Sequence, residues 1–212
     1  MNTSGELRGA AAVTGMLLGR ITQAVKDEVR RLVERLERRR SEDVRRRPAR
    51  FTRRLRRART VLVLCQGNVS RSVFAAHLLA TALRGKAIPA IRSAGLATVP
   101  GWRAHPRVVQ RCQALNIDVR HHASVSVTAE MMKTADVVFV MEVSHLVAIT
   151  RRFFGARRKA YLLTSLAPDV ALEIPDPAAR PDPDVDACMD HVTRAVKPLI
   201  DILLGPAHAV AS

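Results

Sequence analysis

Five residues separate a cysteine from an arginine in Cys65-Gln66-Gly67-Asn68-Val69-Ser70-Arg71-Ser72. The thiolate form of cysteine is the nucleophile, and a guanidinium beside a helix start favours that anion. The free N–H groups of a helix start also receive phosphate. Gly67 allows close backbone approach, and Asn68 tolerates a left-handed backbone. An arginine fork grips two phosphate oxygens at once, which suits the task better than a lysine point charge. The pattern points to cleavage of a phosphate ester. Cys65 would attack, Arg71 would clamp the phosphate, and Gln66, Gly67, Asn68, Val69, Ser70 and Ser72 would form the cradle.

Such a loop needs a strand beneath it and a helix beside it. The apolar run Thr60-Val61-Leu62-Val63-Leu64 predicts the strand, and a helix is expected from about Arg71 to Arg84, stopped by Gly85. Further strands are expected at Ala90–Arg92, Val125–Val127, Asp136–Met141 and Ala160–Leu163. Helices are expected from Pro106 to Leu115, after the N-cap Thr128, from Glu142 to Phe154, and from Asp184 to Leu204. Alternating elements imply an α/β fold with a mainly parallel sheet and helices on both faces. Ligands then sit outside the carboxyl ends of the strands, where Cys65 falls.

Charge divides the chain. The net charge is +16, and residues 1–59 hold 18 Lys and Arg against seven Asp and Glu. Residues 16–40 read as an amphipathic helix, with Leu17, Ile21, Val25, Val29, Leu32 and Leu36 at intervals of three and four. Residues 41–59 read as an arginine-rich linker, which Pro48 keeps from forming one unbroken helix. The domain boundary is therefore expected near residue 59, with a basic extension before it and a catalytic domain over 60–212. A basic amphipathic segment suits an anionic membrane surface or an acidic protein. Nucleic acid is the less favoured partner, since Phe51 is the one aromatic among these arginines. The apolar run Gly9–Gly19 falls short of the roughly 18–20 residues of a spanning helix. It also lacks the flanks of a secretion signal, and Asp27, Glu28, Glu34 and Glu37 argue against a transit peptide. Cys65, Cys112 and Cys188 are far apart, with no Cys-x-x-Cys spacing, so no metal or cofactor is expected. Reduced thiols in the cytoplasm, with peripheral membrane attachment through the basic segment, are the expectation.

From Thr60 to Leu204 the chain resembles the low-molecular-weight protein tyrosine phosphatase family. That family's loop reads Cys-x-Gly-Asn-x-Cys-Arg-Ser after an apolar strand. Ser93-Ala94-Gly95, Ile117-Asp118 to His122 with Thr128, Asp136 to Met141-Glu142, and Asp176-Pro177 follow in the family's order. The resemblance implies a flavodoxin-like three-layer fold with a four-stranded parallel sheet and a two-step, metal-independent phosphatase. It implies Cys65 as nucleophile, Arg71 as phosphate clamp and Asp176 as general acid. Ile174-Pro175-Asp176-Pro177 keeps the family's order, while Asp169, Asp182 and Asp184 are local competitors. Ser72, Ser93 and His122 would hold the loop around Asn68, with His121 the candidate if the alignment slips by one.

The chain departs from the family at several points. Ser70 replaces the second loop cysteine, so no disulfide can protect Cys65. Val73 replaces a proline. Ala178-Ala179 stands where an aromatic pair flanks phosphotyrosine in relatives, and Trp102 is left as a candidate substrate wall. The expected substrate is a phosphotyrosine protein or another aryl phosphate. An arsenate reductase on the same fold is the alternative enzyme, but it would need Cys112 or Cys188 to relay a disulfide. A binding role for the basic segment is the alternative of a different class.

Overall fold

One parallel sheet, its two inner strands built mainly of Val and Leu, is formed by four short strands. They are β1 (Thr60–Cys65), β2 (Ala90–Gly95), β3 (Val137–Val140) and β4 (Ala160–Leu162), in the order β2-β1-β3-β4. The helices are α1 (Thr3–Arg46), α2 (Ala49–Arg56), α3 (Arg71–Ala82), α4 (Pro106–Ala114), α5 (Ala129–Thr134), α6 (Val143–Arg152) and α7 (Val185–Leu204). This computed structural model describes residues 3–85, 89–179 and 184–205, and the side chains of α1 at Arg20 and from Thr22 onward. The run Gly9–Gly19 and the stripe residues Leu17 and Ile21 therefore lie outside the described side chains.

The strand period of two divides the core. Val61, Val63, Cys65, Val137 and Phe139 face a layer built by α2, α3, α4 and α7. Leu62, Leu64, Val138, Val140, Ala160 and Leu162 face the other way, against α5 and α6. This is the flavodoxin-like three-layer arrangement with both faces of the sheet covered. From central β1 the chain crosses to β2 on one side, and β3 lies on the other, so the carboxyl end of β1 is the switch point where such sheets bind ligands.

Four expectations are corrected. The predicted strand at Val125–Val127 is only a bridge between Ser126 and Gly95. The Val125 N–H is taken by the Asn68 side chain instead of a ladder partner. β2 is longer than expected and runs through Ser93-Ala94-Gly95, in register with β1 as far as Cys65. The amphipathic helix extends to Arg46. The segment read as a linker is helical: α2 begins at Ala49, directly after the break at Arg47-Pro48. Phe51 and Leu55 of α2 are buried in the main core. The Phe51 ring stacks on Tyr161 at 4.1 Å between centroids and meets Phe139 edge-on at 5.9 Å. Each fully buried side chain of this size contributes about 1.5–3 kcal/mol, so α2 is part of what holds the sheet.

Candidate active site

The loop after β1 closes around the sulfur of Cys65. The Asn68 N–H points at Sγ at 3.2 Å, and Ser72 Oγ lies 3.0 Å from it. Asn68 adopts φ 52°, the left-handed conformation that turns its N–H inward. Its buried side chain ties the loop to three elements. Nδ2 donates to Ser72 Oγ and Ser93 Oγ, both at 3.0 Å, and Oδ1 accepts the Val125 N–H at 3.0 Å. These partners fix the amide orientation. Because Ser72 Oγ already accepts from Asn68, its own proton is free to point at the Cys65 sulfur.

The loop's outer carbonyls are held from outside. His122 Nε2 donates to the Asn68 carbonyl at 2.8 Å, and Thr98 Oγ1 to that of Gly67 at 2.7 Å. His105 N donates to Val69 at 2.8 Å and Ala97 N to Gln66 at 3.0 Å. Of the two neighbouring histidines, His122 is therefore the one on the loop, and His121 is exposed. Gly95 makes this approach possible. A Cβ there would lie 3.0 Å from the Gln66 carbonyl and 2.8 Å from Thr98 Cγ2. Ser70 supplies no side-chain cap to α3, which leaves the first N–H groups of that helix available to an anion.

Arg71, the first residue of α3, is 1% exposed and reaches two distant carboxylates. Nη1 donates to Glu142 Oε1 at 2.5 Å and to the Ile174 carbonyl at 2.8 Å, and Nη2 donates to Asp176 Oδ2 at 2.5 Å. Three of its five N–H donors are used. Among the described residues its Nε–H and second Nη2–H meet no partner, and these form the fork suited to two phosphate oxygens. Asp176 Oδ1 accepts the Ala178 N–H at 3.1 Å, which fixes the carboxylate at the start of a 3-10 turn, Pro177–Ala179.

Of the competing acids, Asp184 caps α7 by accepting the Ala187 N–H at 2.8 Å. Asp169 is exposed on the surface near Arg45. Asp182 lies outside the described residues. Trp102 is 59% exposed, and its backbone N–H is anchored to Ser124 Oγ at 2.9 Å. Its loop is the one that holds Gly67 and Val69.

Sequence reasoning passed over two site residues. Glu142 ends the segment that follows β3, at the carboxyl edge where ligands gather; it closes the Asp136-to-Glu142 match, which assigns it no role. Buried His145, on the first turn of α6, has Nε2 3.6 Å from Glu142 Oε1, while its Nδ1 has no partner among the described residues. Burial, reinforced by the Arg71 charge, pushes His145 down to about 4, so it is neutral at pH 7. Cys112 lies on the buried face of α4, and burial pushes its thiol up to about 11. Cys188 is buried as well, and no disulfide is present. A relay of the arsenate-reductase kind has no exposed thiol here to use. Among the described residues, no three His, Cys, Asp or Glu side chains gather to hold a metal ion.

A four-stranded parallel α/β sheet with a cysteine-to-arginine loop at its switch point defines the class of fold and site. The description "Low molecular weight phosphotyrosine protein phosphatase" matches residues 60–206, and the chain belongs to that family. It is similar to the probable phosphatase EpsP of Ralstonia solanacearum, with 35% identity over 39% of this chain and 55% of EpsP. The chain thus spans about half the length of that relative. It is also similar to Wzb of Salmonella typhi, with 31% identity over 55% of this chain and 75% of Wzb. The crystal structure of the tyrosine phosphatase Wzb from Escherichia coli K30 with sulphate superposes with a TM-score of 0.59. The identity is 28%, covering 68% of this chain and 96% of that one.

Proposed function

We propose that this protein is a metal-independent phosphatase that hydrolyses phosphate monoesters, protein phosphotyrosine among them, through a phosphocysteine at Cys65. The observation that carries this reading is the pairing of a sulfur receiving the Asn68 N–H with an arginine that keeps a free donor fork. The phosphate seats on the loop N–H groups and on the Nε and Nη2 of Arg71. The Cys65 thiolate forms an S–P bond as the ester P–O bond breaks, which splits one hard step into two. An incoming dianion competes with Asp176 for the Arg71 guanidinium. A carboxyl released beside that dianion is the group that holds a proton for the leaving oxygen. The same carboxylate then takes a proton from the water that cleaves the S–P bond. Loop N–H groups and Arg71 stabilise the charge on the phosphoryl oxygens throughout. Ser93, His122, Ser72 and Asn68 hold the loop in the geometry this needs.

The names of EpsP and Wzb support protein phosphotyrosine as the substrate. Ala178 and Ala179 supply no aromatic walls, so Trp102 is the ring available to a phosphoaryl group. Another relative, with 30% identity over 49% of this chain, is the protein-arginine-phosphatase of Bacillus subtilis. Phosphoarginine therefore belongs in the same substrate panel. We place the protein in the cytoplasm, with residues 16–59 contacting an anionic partner, either a membrane or an acidic protein. Among the described residues, no helix is long and apolar enough to cross a membrane. Hydrolysis of para-nitrophenyl phosphate with EDTA present tests the core reading. Wild type turns over and Cys65→Ser does not; equal activity in the serine variant excludes the mechanism. Phosphotyrosyl, phosphoseryl and phosphoarginyl peptides then rank the substrates.

A further inference from the structure

Helix α1 lies against the body with its polar side inward. Glu37 and Ser41 are buried, and Glu37 pairs with Arg157 at 2.6 Å. Arg40 donates to the carbonyls of Arg157 and Ala160, and Arg45 to those of Val170 and Thr164. The apolar stripe is left outside, with Val25, Val29, Leu32 and Leu36 between 49% and 58% exposed. A surface helix ordinarily does the reverse.

At intervals of three and four, the row Val25-Val29-Leu32-Leu36 runs on past Arg40, at the edge of the docked side, to the exposed Asp43 and Arg47. Those last three residues line a groove of about 1220 Å³ that holds ten Arg and Lys side chains against two carboxylates. One of the two, Asp136, is occupied by the N–H groups of Arg59 and Thr60. Arg47, Arg50, Arg53, Arg57, Lys133 and Arg158 are exposed there and form no ion pair among the described residues. Phe154 stands at the same groove with its side chain fully in solvent.

We propose that this continuous face docks on an anionic lipid bilayer. The groove arginines meet phosphate headgroups, while the α1 stripe and Phe154 enter the apolar boundary beneath them. A bilayer is the partner that uses both halves of the face. A nucleic acid would satisfy the arginines but leave four aliphatic side chains in water. It would also find one exposed ring for base stacking, since Phe51 is buried and stacked on Tyr161. A second copy would bring two arginine-rich faces together over a stripe of roughly 17 Å. The groove is lined by Ala58, Asp136 and Lys159, which precede β1, β3 and β4. Cys65 lies at the opposite end of β1, roughly 20 Å away along a six-residue strand. The groove half of the face is therefore remote from the cysteine loop, and docking there does not depend on what Cys65 does.

The test is co-sedimentation of the full chain with phosphatidylcholine vesicles, with and without phosphatidylglycerol, across a salt series. Binding should require phosphatidylglycerol and weaken as salt rises. Reversing three arginines (Arg50→Glu, Arg53→Glu, Arg57→Glu) should weaken partitioning by roughly a hundredfold or more. Leu32→Asp with Leu36→Asp keeps every arginine and should also abolish most binding. An unchanged urea midpoint shows each variant to be folded, and turnover of para-nitrophenyl phosphate in the same samples reports the catalytic reading separately. Absence of vesicle binding by wild type overturns the proposal. Binding of an oligothymidylate that survives the leucine changes, with vesicles ignored, overturns it in favour of nucleic acid. A dimer broken by the leucine changes, again with vesicles ignored, overturns it in favour of self-association.

Discussion

Asn68 is the residue whose replacement has the most calculable consequence. Its backbone sits at φ 52°, and its buried side chain makes three hydrogen bonds, to Ser72, Ser93 and the Val125 N–H. Asn68→Ala removes all three bonds at about 1 kcal/mol each. It also places a Cβ residue without local side-chain compensation in the left-handed region, at a cost of about 1–2 kcal/mol. Asn68→Gly loses the same three bonds without that strain, although a glycine is freer in the unfolded chain. The expected losses are about 4 kcal/mol for alanine and about 3 kcal/mol for glycine, read as urea midpoints at constant slope. Both variants should also lose roughly a hundredfold in kcat on para-nitrophenyl phosphate, because Ser72 and the inward N–H no longer hold the sulfur in place. A loss below about 1 kcal/mol in both, or an alanine variant more stable than the glycine variant, refutes the reasoning, since the bonds or the strain would then be absent.

Asp176→Asn should lower kcat on phenyl phosphate by about 10²–10³-fold. The loss should be smaller on para-nitrophenyl phosphate, whose leaving group needs less protonation, and equal losses on both count against proton donation. His145 is held neutral at about 4 against 6.5 in the unfolded chain. The unfolded state therefore binds the extra proton between those values, and stability falls as pH drops through that window. At pH 5 the loss is about 2 kcal/mol, measured by urea unfolding, and His145→Gln should flatten that slope. Phe51→Ala empties a stacked, buried ring site and should cost about 3–4 kcal/mol by the same measurement. A near-neutral result there would mean that α2 is not part of the core.

What could be read from the sequence was mostly local. The strand Val61–Leu64, the loop Cys65–Ser72 and the start of α3 are contiguous, so their chemistry shows in one stretch of chain. The parallel sheet followed from alternating apolar runs. The partners of Arg71 were harder to see, because Glu142 and Asp176 are 71 and 105 positions away. Asp176 was found through a resemblance, and Glu142 was passed over as a site residue. The linker assignment failed because arginine density hides a two-residue apolar face. Phe51 and Leu55 bury themselves on a sheet edge that ends 110 positions later, at Tyr161. The outward stripe of α1 was visible as periodicity, but periodicity alone assigns an apolar stripe to the core. Only the contacts of Glu37, Arg40 and Arg45 show that the polar side is the docked one.

The central claim is that phosphate passes through the sulfur of Cys65. Rapid acid quenching during turnover of labelled para-nitrophenyl phosphate, followed by peptide mapping, tests it directly. The account predicts labelled phosphate on the peptide containing Cys65, and neither label nor turnover in Cys65→Ser. Steady turnover by wild type with no label on that peptide at any quench time would contradict it, as would label on another residue that persists in Cys65→Ser.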